Sequence, residues 1–207
     1  SRMKTGPEGF WWFRRGEYAE DQLREDLEQR LPAFYGSHGF VDFRVVDDTL
    51  IVDRENGKAT LRVTVDEGHP YQVGTVRVEG HRRFSTDELL TLNPFAGVGS
   101  GSSPVWFDQT KWETASNKLR TQYWNQGYIY AQIEPRLEKV EPGDSLRDAR
   151  VNLTWQIQEG RPAIVNRTEI LGNEVTHERV IREAIVILPG DVFSQERVLR
   201  SYQNIGN

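Results

Sequence analysis

The sequence contains no cysteine. This excludes a disulfide framework, a thiolate zinc site, an iron–sulfur cluster and a cysteine nucleophile. It is compatible with an oxidising compartment without requiring one. No apolar run reaches the about 18 residues of a membrane-spanning helix. No basic start leads into an apolar stretch, so a signal peptide is not expected either. Excess charge is small, 26 basic against 31 acidic residues for a net charge of -5, and gives no electrostatic footprint for nucleic acid. His38, His69, His81 and His177 form no i, i+4 pair, so metal binding has no spacing support. Gly-x-Ser-x-Gly is absent, and no Ser-His-Asp constellation can be argued. Gly97, Gly99 and Gly101 follow a helical stretch instead of a strand. They therefore read as a loop and not as a phosphate cradle.

What is present is a chain of 207 residues, 37% hydrophobic, 28% charged and 11% aromatic. That supports small cores and argues against disorder. Self-similarity is the strongest signal. Val63 to Gly68 and Thr154 to Gly160 are alternating segments ending in Glu-Gly. Each is followed by a second alternating segment closing on a glycine, Gly80 and Gly172, and both pairs are offset by 92 residues. A further marker recurs as Tyr35…Gly39-Phe40, Tyr123…Gly127-Tyr128 and Tyr202…Gly206-Asn207. This is the spacing of a Schellman cap, with a left-handed glycine at C′ and an apolar C3–C″ contact. Gly39, Gly127 and Gly206 are accordingly assigned as capping residues. The markers divide the chain into residues 1–68, 69–160 and 161–207. The middle copy is complete, the first lacks its opening strand, and the third stops at its second helix. The chain thus reads as a piece of a longer protein. Gly68-His69-Pro70 and Gly160-Arg161-Pro162 read as short, semi-rigid elbows.

In the complete copy, Tyr71–Glu79 alternates as a strand. Ser85-Thr86-Asp87-Glu88 has capping-box spacing and opens a short helix stopped by Pro94. Trp112, Ala115, Leu119 and Tyr123 define one face of a second helix starting near Asp108. Ile129, Ala131, Ile133 and Leu137 then alternate, as do Val151, Leu153, Trp155 and Ile157, with a turn at Pro142-Gly143-Asp144-Ser145. In the first copy Leu23, Leu27, Leu31 and Phe34 form a helical stripe that Pro32 should kink. Glu20, Asp21, Arg24, Glu25, Asp26, Glu28 and Arg30 read as its solvated face. Val41, Phe43 and Val45 open the next strand, and Leu61, Val63 and Val65 the closing one. The third copy predicts a strand near 164–171, a helix near 176–185 and a helix from Ser194. The fold class is α+β, in tandem β-α-α-β-β repeats with helices on one face of each sheet.

Strand order follows from charge and connection. Strands two and three share a short connection, so they pair antiparallel. Val151–Ile157 carries no charge, as a central strand should, whereas Arg77, Glu79, Glu134, Arg136 and Glu138 charge the other two. The predicted order in a three-stranded mixed sheet is 1-3-2. Pro135 fits an exposed edge, because proline lacks an N–H.

A β-α-α-β-β unit of this size, with Val78-Glu79-Gly80-His81, Tyr123 to Gly127-Tyr128 and Glu159-Gly160, resembles the POTRA (polypeptide-transport-associated) domain. The stretch from Met3 to Phe13 followed by Gly16-Glu17-Tyr18 resembles the POTRA arms of outer-membrane β-barrel assembly factors in particular. The resemblance implies the periplasmic portion of a bacterial outer-membrane protein: a scaffold that is not an enzyme and uses no cofactor. Its implied partners are unfolded outer-membrane proteins and accessory assembly lipoproteins. Contact with the membrane would come through a C-terminal β-barrel absent from this chain. A POTRA arm of a two-partner secretion transporter is the sibling reading. A small α+β hydrolase is a remote one, and perturbed carboxylates or histidines converging in a deep pocket would support it.

Two candidate sites follow. Ile129, Tyr130, Ala131, Gln132 and Ile133 lie on the predicted edge strand and could add a client strand by β-augmentation. The same edge could equally be protected against pairing by proline and charge. Trp11, Trp12 and Trp106 could form an aromatic docking patch, although a local core that also takes in Phe107 is favoured for these clusters.

Overall fold

The computed structural model describes residues 20–53, 55–98, 103–140 and 149–206. Trp11, Trp12, the Met3–Phe13 stretch, Gly99, Gly101 and the turn at Pro142–Ser145 lie outside the described residues, as do the side chains of Glu20 and Asp21. The chain divides into two compact units. One takes in Ser1–Thr75, Phe95–Trp112 and Glu138–Asn152; the other takes in Val76–Pro94, Glu113–Leu137 and Leu153–Asn207. Each unit contains one of the Gly-x-Pro elbows.

In the first unit, the leucine stripe folds as α1 (Glu20–Glu25), a π-helical turn (Asp26–Arg30) and α2 (Leu31–Gly36). Leu23 and Leu27 are buried. Pro32 has no N–H and its ring crowds the preceding turn, so a bend was expected there. The chain relieves the crowding by widening that turn, with the Leu31 N–H donating to the Asp26 carbonyl. The wider turn carries Asp26 off the solvated face to which the charge pattern assigned it. Asp26 is fully buried and is held by Arg30 at 3.2 Å.

β1 (Arg44–Asp53) and β2 (Lys58–Asp66) form an antiparallel hairpin in which Leu50 faces Leu61. Asp53 closes the turn by accepting the Glu55 and Asn56 N–H groups at 3.1 and 3.2 Å. Val41 and Phe43, expected to open the strand, belong instead to a turn after the helix cap. The Val41 N–H reaches the Gly39 carbonyl, and the Phe43 N–H reaches that of Phe40.

The middle copy contributes β3 (Gln72–Glu79), α3 (Thr86–Leu90), α4 (Gln109–Asn125), β4 (Gln132–Val140) and β5 (Arg150–Gln158). Its sheet has the order β3-β5-β4, which is 1-3-2 in the repeat. Local chemistry starts each helix. Ser85 and Glu88 complete a capping box on α3, and Asp108 accepts the Lys111 N–H at 3.0 Å at the head of α4. Trp112, Ala115, Leu119 and Tyr123 are buried along α4, and Val151, Leu153, Trp155 and Ile157 along β5. Burial of each Val- or Leu-sized side chain contributes about 1.5–3 kcal/mol. The Trp155 indole N–H, buried with the ring, donates to the Ser116 hydroxyl at 2.8 Å.

The third copy contributes α5 (Glu178–Ala184) and α6 (Gln195–Ile205), the latter capped by Ser194. The strand expected over 164–171 is not formed. Ile164 bridges Val192, and the ladder does not continue. Strand geometry is held by a partner, and among the described residues no segment runs alongside 166–171.

Candidate functional site

β4 lies at an edge of its sheet, with the uncharged β5 at the centre. The two are joined by a connection too short for a crossover, so they pair antiparallel. Of the five residues assigned to a client-binding strand, Gln132 and Ile133 lie in β4. Ile129, Tyr130 and Ala131 do not, and that part of the reading is corrected. They form a turn in which the Ile129 N–H donates to the Gly127 carbonyl and the Ala131 N–H to that of Tyr128. The same turn follows the cap of the first copy, so strand two starts late in both repeats for one local reason. Ala131 and Ile133 point into the core, and Tyr130 is 75% exposed.

Pro135 fits β4 without a broken ladder bond if its nitrogen faces away from β5. Successive residues of an antiparallel strand turn their N–H groups to opposite sides. The Ile133, Leu137 and Lys139 N–H groups then face outward with Pro135. Glu134, Arg136, Glu138 and Lys139 are exposed along the same strand, and Arg136 pairs with Glu134 at 3.2 Å.

The capping glycines occupy the repeat junctions. Gly39 and Gly127 have φ of 90° and 86°. The Phe40 N–H returns to the Tyr35 carbonyl and the Tyr128 N–H to that of Tyr123, each with the aromatic pair edge to face. Gly206 differs: its φ is −86°, so it ends α6 in a right-handed conformation and the left-handed cap expected there is not formed.

The glycines at the first two junctions also admit the next repeat. The Gly39 carbonyl accepts the Tyr71 N–H at 3.0 Å, and the Gly127 carbonyl accepts the Ala163 N–H at 2.8 Å. A Cβ at Gly127 would lie 2.5 Å from the Val192 side chain. The next strand of contact is repeated as well. Phe107 donates to the Tyr71 carbonyl and Phe193 to that of Ala163, both at 3.0 Å.

A second recurring contact joins two of the sequence markers to each other. The Tyr35 hydroxyl donates to Glu67 at 2.6 Å, and the Tyr123 hydroxyl to Glu159 at 2.8 Å. Glu159 also accepts the Arg82 and Arg83 N–H groups at 2.7 and 2.8 Å. Burial pushes the Glu159 carboxyl up, but these donors outweigh it and hold the group below its ordinary range. Burial and the adjacent carboxylate push the Tyr123 hydroxyl well above its ordinary value. Sequence reasoning found the tyrosine and the Glu-Gly separately and missed that they touch. Their near-constant separation, 32 and 36 residues, was the available signal.

At the first junction Asp42 accepts the Tyr71 hydroxyl at 2.8 Å and pairs with the Lys139 ammonium. Sequence reasoning singled out neither Asp42 nor Lys139. At the second junction an open cleft of about 420 Å³ is lined by residues including Arg83, Tyr128, Pro162, Val192 and Arg197. Arg197 is engaged by Asp191 at 2.7 Å. The lining residues of this cleft include no carboxylate and no histidine. Trp106 is 47% exposed, whereas Phe107 is buried, so the favoured local core takes in Phe107 and leaves Trp106 at the surface. Among the described residues no helix is long and apolar enough to cross a membrane.

The family model for POTRA, described as surface antigen variable number repeat, matches residues 71–160. The outer membrane protein assembly factor BamA of Neisseria meningitidis serogroup B is 24% identical over 199 residues, which cover 94% of this chain and 23% of that protein. A putative outer membrane protein assembly factor of Treponema pallidum is 29% identical over 198 residues, covering 93% of this chain and 22% of that protein. The chain thus spans about a quarter of the length of the curated relatives it matches. Among solved structures, the POTRA3-5 portion of Haemophilus influenzae BamA superposes with a TM-score of 0.71 at 17% identity, covering 99% of this chain and 76% of that one.

Proposed function

We propose that the chain is part of the periplasmic arm of an outer-membrane protein assembly factor, because residues 71–160 match the POTRA family model and the chain is similar to BamA-type assembly factors along nearly its whole length. In this reading the arm is a non-catalytic scaffold. It receives extended segments of unfolded outer-membrane proteins and passes them towards the membrane. The observation that carries it is the edge position of β4, with Pro135 interrupting an otherwise pairable strand. Recognition by β-augmentation reads backbone N–H and C=O groups more than side chains. That suits a factor handling many different β-strands. The same proline and the charges around it keep such edges from pairing with one another. The exposed Trp106 indole supplies an aromatic anchor for accessory lipoproteins.

The test is residue-resolved hydrogen exchange with a synthetic peptide matching one transmembrane β-strand, about 10 residues long. The amides of Ile133, Leu137 and Lys139 should gain protection as peptide is added, with β5 unchanged. Unchanged exchange at all three would overturn client binding on β4.

A further inference from the structure

We propose that Asp42 clamps the first repeat junction and that the second junction, built without this clamp, is the more mobile pivot. This goes beyond the scaffold role and does not depend on where clients bind. Both junctions share a backbone frame: a glycine carbonyl accepts the opening N–H of the next repeat, at Gly39–Tyr71 and at Gly127–Ala163. The side chains laid over that frame differ.

At the first junction Asp42, three residues past the capping glycine, ties three segments together. It belongs to the turn after α2, takes the hydroxyl of Tyr71 just before β3, and pairs with Lys139 near the end of β4. Hydrogen bonds to a charged group are about twice as strong as neutral ones. The other charged or titratable groups acting on this carboxylate are His69 in the elbow and Asp66 at the end of β2. Burial raises the Asp42 carboxyl, but Lys139 and Tyr71 outweigh it and hold the group below its ordinary range, so it stays ionised at neutral and mildly acidic pH.

At the second junction the position three past the glycine is Tyr130, which is 75% exposed, and the counterpart of Tyr71 is Ala163, which has no hydroxyl. A side-chain bond does cross this junction, from the Glu196 N–H to the Asn125 side-chain oxygen at 2.9 Å, but it is neutral. The open cleft beside Tyr128, Pro162 and Val192 leaves room for the contact to shift.

The absence of cysteine makes site-directed spin labelling clean. Arg62→Cys with Thr110→Cys brackets the first junction; Lys118→Cys with Gln203→Cys brackets the second. All four positions are exposed. Pulsed dipolar spectroscopy should give a distance distribution across the second junction at least twice as wide as that across the first. Asp42→Ala, and separately Tyr71→Phe with Lys139→Met, should widen the first to match the second, with helix content unchanged by circular dichroism. Equal widths in the parent chain would overturn the proposal. So would a first-junction distribution that neither folded variant widens.

Discussion

Glu159 concentrates more polar contacts than any single sequence motif suggested. It accepts two backbone N–H groups and one phenol, and these contacts tie the chain after Gly80 to the end of α4. Removing a charged acceptor from several donors costs about 1–3 kcal/mol. Glu159→Ala should lower the unfolding free energy by that amount, read as a shift of the urea midpoint at unchanged slope. Glu67→Ala should cost less, because the contact made by Glu67 is to the Tyr35 hydroxyl in an exposed setting. The pH dependence has a definite sign. Glu159 and Asp42 are both held below the ordinary carboxylate range in the folded state. A depressed folded pKa stabilises the fold above the unfolded value, and that stability is lost as pH falls through the folded pKa. The urea midpoint should therefore drop on acidification below about pH 4. In Glu159→Ala the drop should be shallower, as titration of unfolding against pH would reveal.

At the scale of elements, the junction glycines combine two requirements that can be separated. Left-handed backbone costs a non-glycine residue about 1–2 kcal/mol. Gly160 has φ of 70° with nothing within 4 Å of an added Cβ, so Gly160→Ala should show that conformational cost alone. At Gly127 the added methyl also meets Val192 at 2.5 Å and the Ala163 carbonyl oxygen at 3.3 Å. Gly127→Ala should therefore destabilise more than Gly160→Ala in denaturant melts. It should also speed hydrogen exchange at the Ala163 amide, which bonds the Gly127 carbonyl. Equal losses in the two variants would mean that the close approach contributes nothing. Strand two shows how local geometry can override period. Alternation from Val41 and from Ile129 is genuine, but the cap is followed by a tight turn in both copies. The strands start at Arg44 and Gln132, once that turn is complete.

At the scale of the whole molecule, repeats that touch through a few recurring bonds should stabilise one another additively, as in other tandem arrays. The first junction gives the middle repeat one backbone bond to Gly39 and a hydroxyl bond to Asp42, besides the Lys139 ion pair. A polypeptide of residues 69–160 should thus melt below the full chain. With about 1 kcal/mol net for the neutral backbone bond, about 1.5 kcal/mol for the hydroxyl bond to the charged carboxylate and about 4–8 °C per kcal/mol in a domain of this size, the deficit is about 10–20 °C. Differential scanning calorimetry of both polypeptides would measure it, and equal melting temperatures would mean that the junction is energetically neutral.

The sequence by itself determined the features that depend on near neighbours along the chain. The capping box at Ser85, the α4 stripe through Tyr123, the left-handed turns at Gly39 and Gly127, and the uncharged centre of β5 were legible because each is a local pattern repeated in register. Even the strand order could be argued, since charge and proline content separate edge from centre. Tertiary structure decided what depends on partners far apart in sequence. The strand expected over 164–171 has one bridge at Ile164, since a ladder needs a second strand beside it. Asp26 looked solvated by helical spacing, yet the π turn before Pro32 buries it. The meeting of Tyr123 with Glu159, and of Asp42 with Tyr71 and Lys139, is invisible in any short window of residues. Those contacts are made where the end of one repeat folds back on itself or meets the start of the next, and no periodicity within a single element encodes them.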